Sequence, residues 1–161
     1  MTPIRVLFVC TGNICRSPTA EGVARVMAQR QGLTDAFEFD SAGTHDYHVG
    51  DPPDPRTVAA AARRGYDLSR LRARLVTSTD YAEFDHIFAM DSDHLRLMRS
   101  HCPPAHQHKL ALFMSGAIQG ADVPDPYYEG PEAFELVLDL VEQASTRMLE
   151  RLRPRQDFKQ A

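Results

Sequence analysis

The sequence predicts an α/β fold: a single-domain, three-layer α/β/α arrangement around a central four-stranded parallel sheet, with a phosphate-binding loop after strand 1. Three observations predict it. Short apolar runs alternate along the chain with segments of helical period, and strands separated by helices pair in parallel through right-handed crossovers that cover both sheet faces. The 161 residues, 43% of them apolar, supply one good core and are short for two. The first apolar run, Ile4 to Val9, ends in Cys10 and turns within a few residues into a helix start. The expected boundaries are one domain over residues 1–154 and a polar C-terminal tail over 155–161.

Each element has its own signature. Ile4 to Val9 is β-branched and aromatic, which suits a buried strand. Ser17-Pro18 reads as an N-cap followed by proline at the first helical position, so helix one is expected from Pro18 to Gln31. Ala20, Val23, Ala24, Met27 and Ala28 share its apolar face, and Gly32 ends it. Phe37 to Ser41 is a second strand, left through a polar Ser41-Ala42-Gly43-Thr44 turn. His45 to Pro53 is a surface loop carrying Tyr47 and His48.

Asp54-Pro55 repeats the cap-then-proline start, and Val58 to Arg64 is an alanine-rich helix closed by Gly65. Tyr66 to Thr79 is a polar connection, and Asp80 to Glu83 a helical turn. A third strand is expected from Phe84 to Met90, a helix from Ser92 to Ser100 and a fourth strand from Lys109 to Met114. Between the last two, His101 to His108 offers one thiol and three imidazoles, but structural zinc takes paired ligands from two places and no second pair exists. This segment therefore reads as a proline-stiffened connection, and no metal site is expected. Gly120 to Gly130 is irregular, acidic and aromatic. From Pro131 a long amphipathic helix carries Phe134, Val137, Leu138, Val141, Ala144, Met148 and Leu152 at helical spacing. The tail beyond Pro154 is expected to fray.

Composition limits the function classes. A net charge of -4 argues against a nucleic-acid partner, and no stretch approaches the ~20 apolar residues of a membrane span. Three cysteines make an odd count rather than a secreted disulfide framework, and no signal-peptide pattern opens the chain. A reducing, cytoplasmic location is the expectation.

The chemistry concentrates in Cys10-Thr11-Gly12-Asn13-Ile14-Cys15-Arg16-Ser17. A loop running into a helix N-terminus aims unpaired amides at one point, where the helix dipole adds about half a positive charge. Gly12 and Asn13 best take the positive φ that curls such a nest, and Arg16 can grip two oxygens of a bound dianion. The same dipoles favour a thiolate at Cys10, the nucleophilic form. Ligands in parallel sheets bind beyond the strands' carboxyl ends, so the loops carrying Tyr47, Asp91 and Asp125 should converge there. Locally, Asp125 before Pro126 reads as readily as a turn residue.

These stretches, with Asp51-Pro52-Pro53-Asp54-Pro55-Arg56 and Asp125-Pro126-Tyr127-Tyr128, resemble the low-molecular-weight protein tyrosine phosphatases over nearly the whole chain. The resemblance implies hydrolysis of phosphotyrosine in proteins through a phosphocysteine. Cys10 would be the nucleophile, Arg16 and the loop amides of Thr11, Gly12, Asn13, Ile14 and Cys15 the phosphate ligands, and Asp125 the general acid and then base. Ser17 would steady the thiolate, Asp122 is the alternative acid, and no cofactor is implied. Tyr47, Tyr127 and Tyr128 would wall a slot deep enough to exclude phosphoserine. Phosphotyrosine-containing proteins are the implied partners, a cognate tyrosine kinase being one candidate among them that the sequence does not name; oligomeric state is left open. Cys15 is either the partner of a reversible disulfide with Cys10 or a small space-filling residue.

Two same-fold alternatives stand beside this reading. Thiol-linked arsenate reductases need two further relay cysteines, and only Cys102 lies near that place. Phosphoarginine phosphatases resemble the loop but have threonine where Ile14 stands. One departure from the family pattern is expected to matter: Leu71 occupies the position of a histidine that braces the loop through the residues matching Asn13 and Ser17, so the bracing must differ, leaving either a looser Cys10 environment or a bond taken over by Ser41 and water.

Overall fold

A computed structural model of the chain describes residues 2–115 and 122–154. Its elements are β1 (Ile4–Cys10), α1 (Arg16–Arg30), β2 (Phe37–Gly43), α2 (Pro55–Arg63), α3 (Ser78–Glu83), β3 (His86–Ala89), α4 (Ser92–His101), β4 (Leu110–Leu112) and α5 (Pro131–Leu152). The four strands are parallel in the order β2-β1-β3-β4. β1 is central and buried on both faces, which explains its unbroken apolar run. Alternate side chains divide between the faces: Val6, Phe8 and Cys10 join a cluster with α1, α2 and α5, whereas Leu7 and Val9 join Tyr81 of α3, Met98 of α4 and Cys102. Each such fully buried Val, Leu or Phe contributes about 1.5–3 kcal/mol. The expected three layers are therefore present.

Four boundaries differ from expectation. Helix α1 begins at Arg16, with Cys15 at its N-cap and no side-chain cap bond. Ser17 is thus inside the first turn rather than the cap, and its hydroxyl faces the loop instead. α1 is also buried all round from Arg16 to Ala24, wedged between the sheet and α5, so its first half lacks the one-faced pattern expected of it. β2 continues through Gly43, because Ser41, Ala42 and Gly43 pair in register with Phe8, Val9 and Cys10. The outer strands are shorter than their apolar runs: Phe84 ends α3, and Lys109 closes a 3-10 turn over Pro104–Lys109. The tail 155–161 and the start of the 120–130 segment lie outside the described residues. No helix among the described residues is long and apolar enough to cross a membrane.

Candidate active site

Cys10 is the last residue of β1, and the loop after it is tied to the segment that leaves β2. The Thr44 amide donates to Cys10 O (2.8 Å), the His45 amide to Thr11 O (3.0 Å), and the Asp54 amide to Ile14 O (2.8 Å). Gly43 allows this approach, since a Cβ there would sit 2.7 Å from Thr11 O. Asn13 has φ 59°, the left-handed bend expected of the loop. Gly12 does not share it. A Cβ at position 12 would come 2.9 Å from the His48 ring, which would have to shift to admit it.

A buried chain of hydrogen bonds ends on the sulfur. The Ser17 amide lies 3.4 Å and the Ser17 hydroxyl 3.0 Å from Cys10 Sγ. Ser17 Oγ accepts from Asn13 Nδ2 (2.8 Å), which leaves its own proton for Cys10 Sγ at 3.0 Å or the more distant Ala42 O at 3.5 Å. Asn13 Nδ2 also donates to Ser41 Oγ (2.9 Å), whose proton goes to Glu21 Oε1 (2.7 Å). Asn13 Oδ1 accepts from the Arg74 amide (3.0 Å). Leu71, half-buried, packs against the main apolar cluster. Ser41, Glu21 and a backbone amide therefore carry the bracing. Glu21 is 4% exposed; burial pushes its carboxyl above the ordinary value, with the hydrogen bonds from Ser41 and Arg25 opposing.

The Arg16 guanidinium is buried and held from several sides. Nη1 donates to Asp91 Oδ2 (2.8 Å) and Val123 O (3.0 Å), while Nη2 lies 3.4 Å from Thr11 Oγ1 and 3.7 Å from Asp125 Oδ2. Burial disfavours a charged Asp91, but the His94 amide and Arg16 outweigh it and hold the carboxyl below the ordinary value. Asp125 is a turn residue that also faces the cavity. Its Oδ1 accepts from the Tyr127 amide (3.1 Å) in a turn, and its half-exposed Oδ2 faces Arg16. Asp122 is engaged elsewhere, accepting from the amide and hydroxyl of Ser92 (3.1 and 2.9 Å).

Cys10, Thr11, Gly12, Ile14, Cys15, Arg16, Tyr47, His48, Asp125, Tyr127 and Tyr128 line one cavity of about 310 Å³. Asn13 and Ser17 lie behind its floor. Tyr127 is half-buried and meets Tyr128 edge-on at 4.8 Å, whereas Tyr128 is 90% exposed and Tyr47 69% exposed, stacked on His45. Tyr127 is thus a wall, and the other two tyrosines stand at the rim. All three cysteines are free thiols, and burial pushes Cys15 up to about 12, so it is protonated at neutral pH. Among the described residues no group of His, Cys, Asp and Glu is arranged to hold a metal ion.

Two contributors, Glu21 and His94, were not expected at the site from the sequence, and His48 was placed only in a surface loop. His48 packs over Gly12 and near Tyr127. Glu21 sits at a core-facing position of α1 although charged, a polar residue in an apolar row that signals a buried partner. His94, three residues into α4, is 4% exposed and reaches Thr11 with Nε2 at 2.7 Å.

Residues 5–157 match a family model described as low molecular weight phosphotyrosine protein phosphatase. The chain is 44% identical to the low molecular weight protein-tyrosine-phosphatase of Streptomyces coelicolor over 154 residues, covering 92% of this chain and 93% of that one. It is 38% identical to the human low molecular weight phosphotyrosine protein phosphatase over 135 residues, 82% of this chain and 85% of the relative. A crystal structure of protein tyrosine phosphatase from Entamoeba histolytica superimposes with a TM-score of 0.89 at 39% identity, covering 92% of this chain and 96% of that one.

Proposed function

The chain belongs to the low molecular weight phosphotyrosine protein phosphatase family and is a protein tyrosine phosphatase, and from that premise we propose that it hydrolyses phosphotyrosine in two steps through a phosphocysteine on Cys10. In the first step the Cys10 thiolate attacks phosphorus, the P–O bond to the tyrosine breaks, and Asp125 gives its proton to the departing phenolate oxygen. In the second, Asp125 takes a proton from water, whose oxygen attacks phosphorus and releases inorganic phosphate and the thiolate. Arg16 and the loop amides from Thr11 to Cys15 bind the equatorial oxygens where charge develops.

One observation carries this reading: the sulfur of Cys10, 3.0 Å from the Ser17 hydroxyl, shares a cavity with a buried arginine and a half-exposed aspartate. The exposure of Asp125 suits an acid that must meet a leaving group and then a water. Tyr127 supports a stacked phenyl ring, with Tyr47 and Tyr128 touching the rest of the protein substrate at the rim. A tyrosine kinase is the class of enzyme that supplies such substrates. The arsenate-reductase alternative is weakened by Cys102, which is buried among the side chains on the sheet face opposite Cys10.

A substrate panel tests the assignment. Phosphotyrosine peptide is expected to turn over, with phosphoserine, phosphoarginine and thiol-coupled arsenate far behind. Cys10→Ser is expected to abolish turnover. Phosphoarginine hydrolysis or arsenate reduction outrunning phosphotyrosine would overturn it.

A further inference from the structure

Asp91, His94, Thr11 and Arg16 close a ring of polar contacts beside the cavity floor. Asp91 caps α4, its Oδ1 accepting from the His94 amide (2.9 Å) and its Oδ2 from Arg16 Nη1 (2.8 Å). The His94 ring stands over this cap with Nδ1 3.1 Å from Asp91 Oδ1 and Nε2 2.7 Å from Thr11 Oγ1. Thr11 Oγ1 in turn lies 3.4 Å from Arg16 Nη2. Nothing in the two-step chemistry uses the imidazole, yet it is buried between groups that do.

The contacts define which way each proton points. Nδ1 meets Asp91 at too sharp an angle to make a full hydrogen bond, and it has no other partner. A bare nitrogen lone pair against a carboxylate oxygen at that distance would be repulsive, so Nδ1 carries the proton and Nε2 is left as the acceptor. Thr11 must then donate its hydroxyl proton to Nε2. That leaves a Thr11 oxygen lone pair facing Arg16 Nη2, and each arm of the guanidinium has an acceptor inside the ring. With the opposite tautomer, Nε2–H would donate to Thr11, and the Thr11 proton would be released toward Arg16 or the bound phosphate.

We propose that His94 is a positioning residue for Arg16, acting through Thr11: as the Nδ1–H tautomer it holds the Thr11 hydroxyl so that the guanidinium is aimed before substrate arrives. This deepens the proposed reaction and rests on Arg16 being the phosphate ligand. It needs a neutral imidazole, and its surroundings supply one. Burial and the Arg16 cation outweigh Asp91 and Asp93 at the start of α4 and Asp125 across the cavity, holding the His94 pKa down to about 4. Protonation would destroy the acceptor and set a second cation beside Arg16, so acid should weaken phosphate binding through this group.

The test uses the full chain with kcat/KM for a phosphotyrosine peptide and the Ki of inorganic phosphate. His94→Ala and Thr11→Val should each lower kcat/KM and raise Ki by about tenfold, the scale of one aligned hydrogen bond. The double variant should be no worse than the singles, since both remove one device. His94→Gln, whose side chain reaches the Nε2 position with an acceptor, should recover most of the loss. The imidazole 15N shifts of the parent at neutral pH should show protonated Nδ1 and bare Nε2. Unchanged kcat/KM and Ki in His94→Ala, losses that multiply in the double variant, or the opposite tautomer would each overturn the proposal. If His94→Ala unfolds, Thr11→Val and His94→Gln decide alone. Arg16→Ala is the control: if it leaves the phosphate Ki unchanged, the assignment of Arg16 fails rather than that of His94.

Discussion

Glu21 and His94 are both buried, titratable and outside the reaction steps, and they bend the pH dependence of stability in opposite directions. The His94 pKa is lowered on folding from 6.5 to about 4, so between those values the unfolded chain binds the extra proton and stability rises with pH, by about 3 kcal/mol across the window. Glu21 is raised above 4.5, so the folded chain holds the proton more tightly and stability falls as pH climbs from 4.5 toward its folded value. Urea unfolding at a series of pH values should show the acid-side loss disappear in His94→Gln and the opposing slope disappear in Glu21→Gln. A parent profile unchanged by either substitution would contradict both assignments. Ser41→Ala should cost about 1–3 kcal/mol by leaving buried Glu21 and Asn13 groups short of a partner, and should lower kcat by loosening Asn13, which donates to Ser17 beside the sulfur.

At the scale of elements, what could be read from the sequence was whatever depends on neighbours in the chain. The β1 run, the Asp54-Pro55 helix start and the α5 stripe follow from local patterns and are found where expected. What could not be read depends on approach between distant segments. The pairing of Ser41 to Gly43 with β1 overrides a sequence that looks like a turn, and Ser17, a good N-cap by type, is drawn to Cys10 instead. Leu71 marked where bracing had to change, but not that Glu21, fifty positions earlier, would anchor the replacement.

The close pass of the β2 end beneath the loop yields its own prediction. Gly43→Ala should destabilise by about 1–3 kcal/mol and displace Thr11, because its Cβ meets backbone rather than a movable side chain. Thermal melts and the phosphate Ki read the two effects. An unchanged Ki would separate the packing of this element from the shape of the loop.

Across the whole molecule, the sheet brings the proposed nucleophile and cation, from one loop, together with the proposed acid, from a segment more than a hundred residues later, at the carboxyl ends of its strands. Cys10 comes from the end of β1, Arg16 from the start of α1, and Asp125 from the segment before α5, fixed near them by Val123 O on Arg16 and by its own turn. That separation of duties predicts how loss of the acid should show itself. Asp125→Ala should cost about 10²- to 10⁴-fold in kcat on phosphotyrosine, and far less on an aryl phosphate whose leaving phenolate needs no proton. Equal losses on both substrates would mean that Asp125 shapes the site rather than donating to the leaving group.

The central claim is a covalent phosphoryl group on one sulfur, and acid-quenched single-turnover mixtures analysed by peptide mass mapping test it most directly. With an aryl phosphate as donor, Asp125→Ala should accumulate phosphate on Cys10, because the step that needs a base is slowed more than the attack. Phosphate mapped to any other residue, or turnover that persists in Cys10→Ser, would contradict the account.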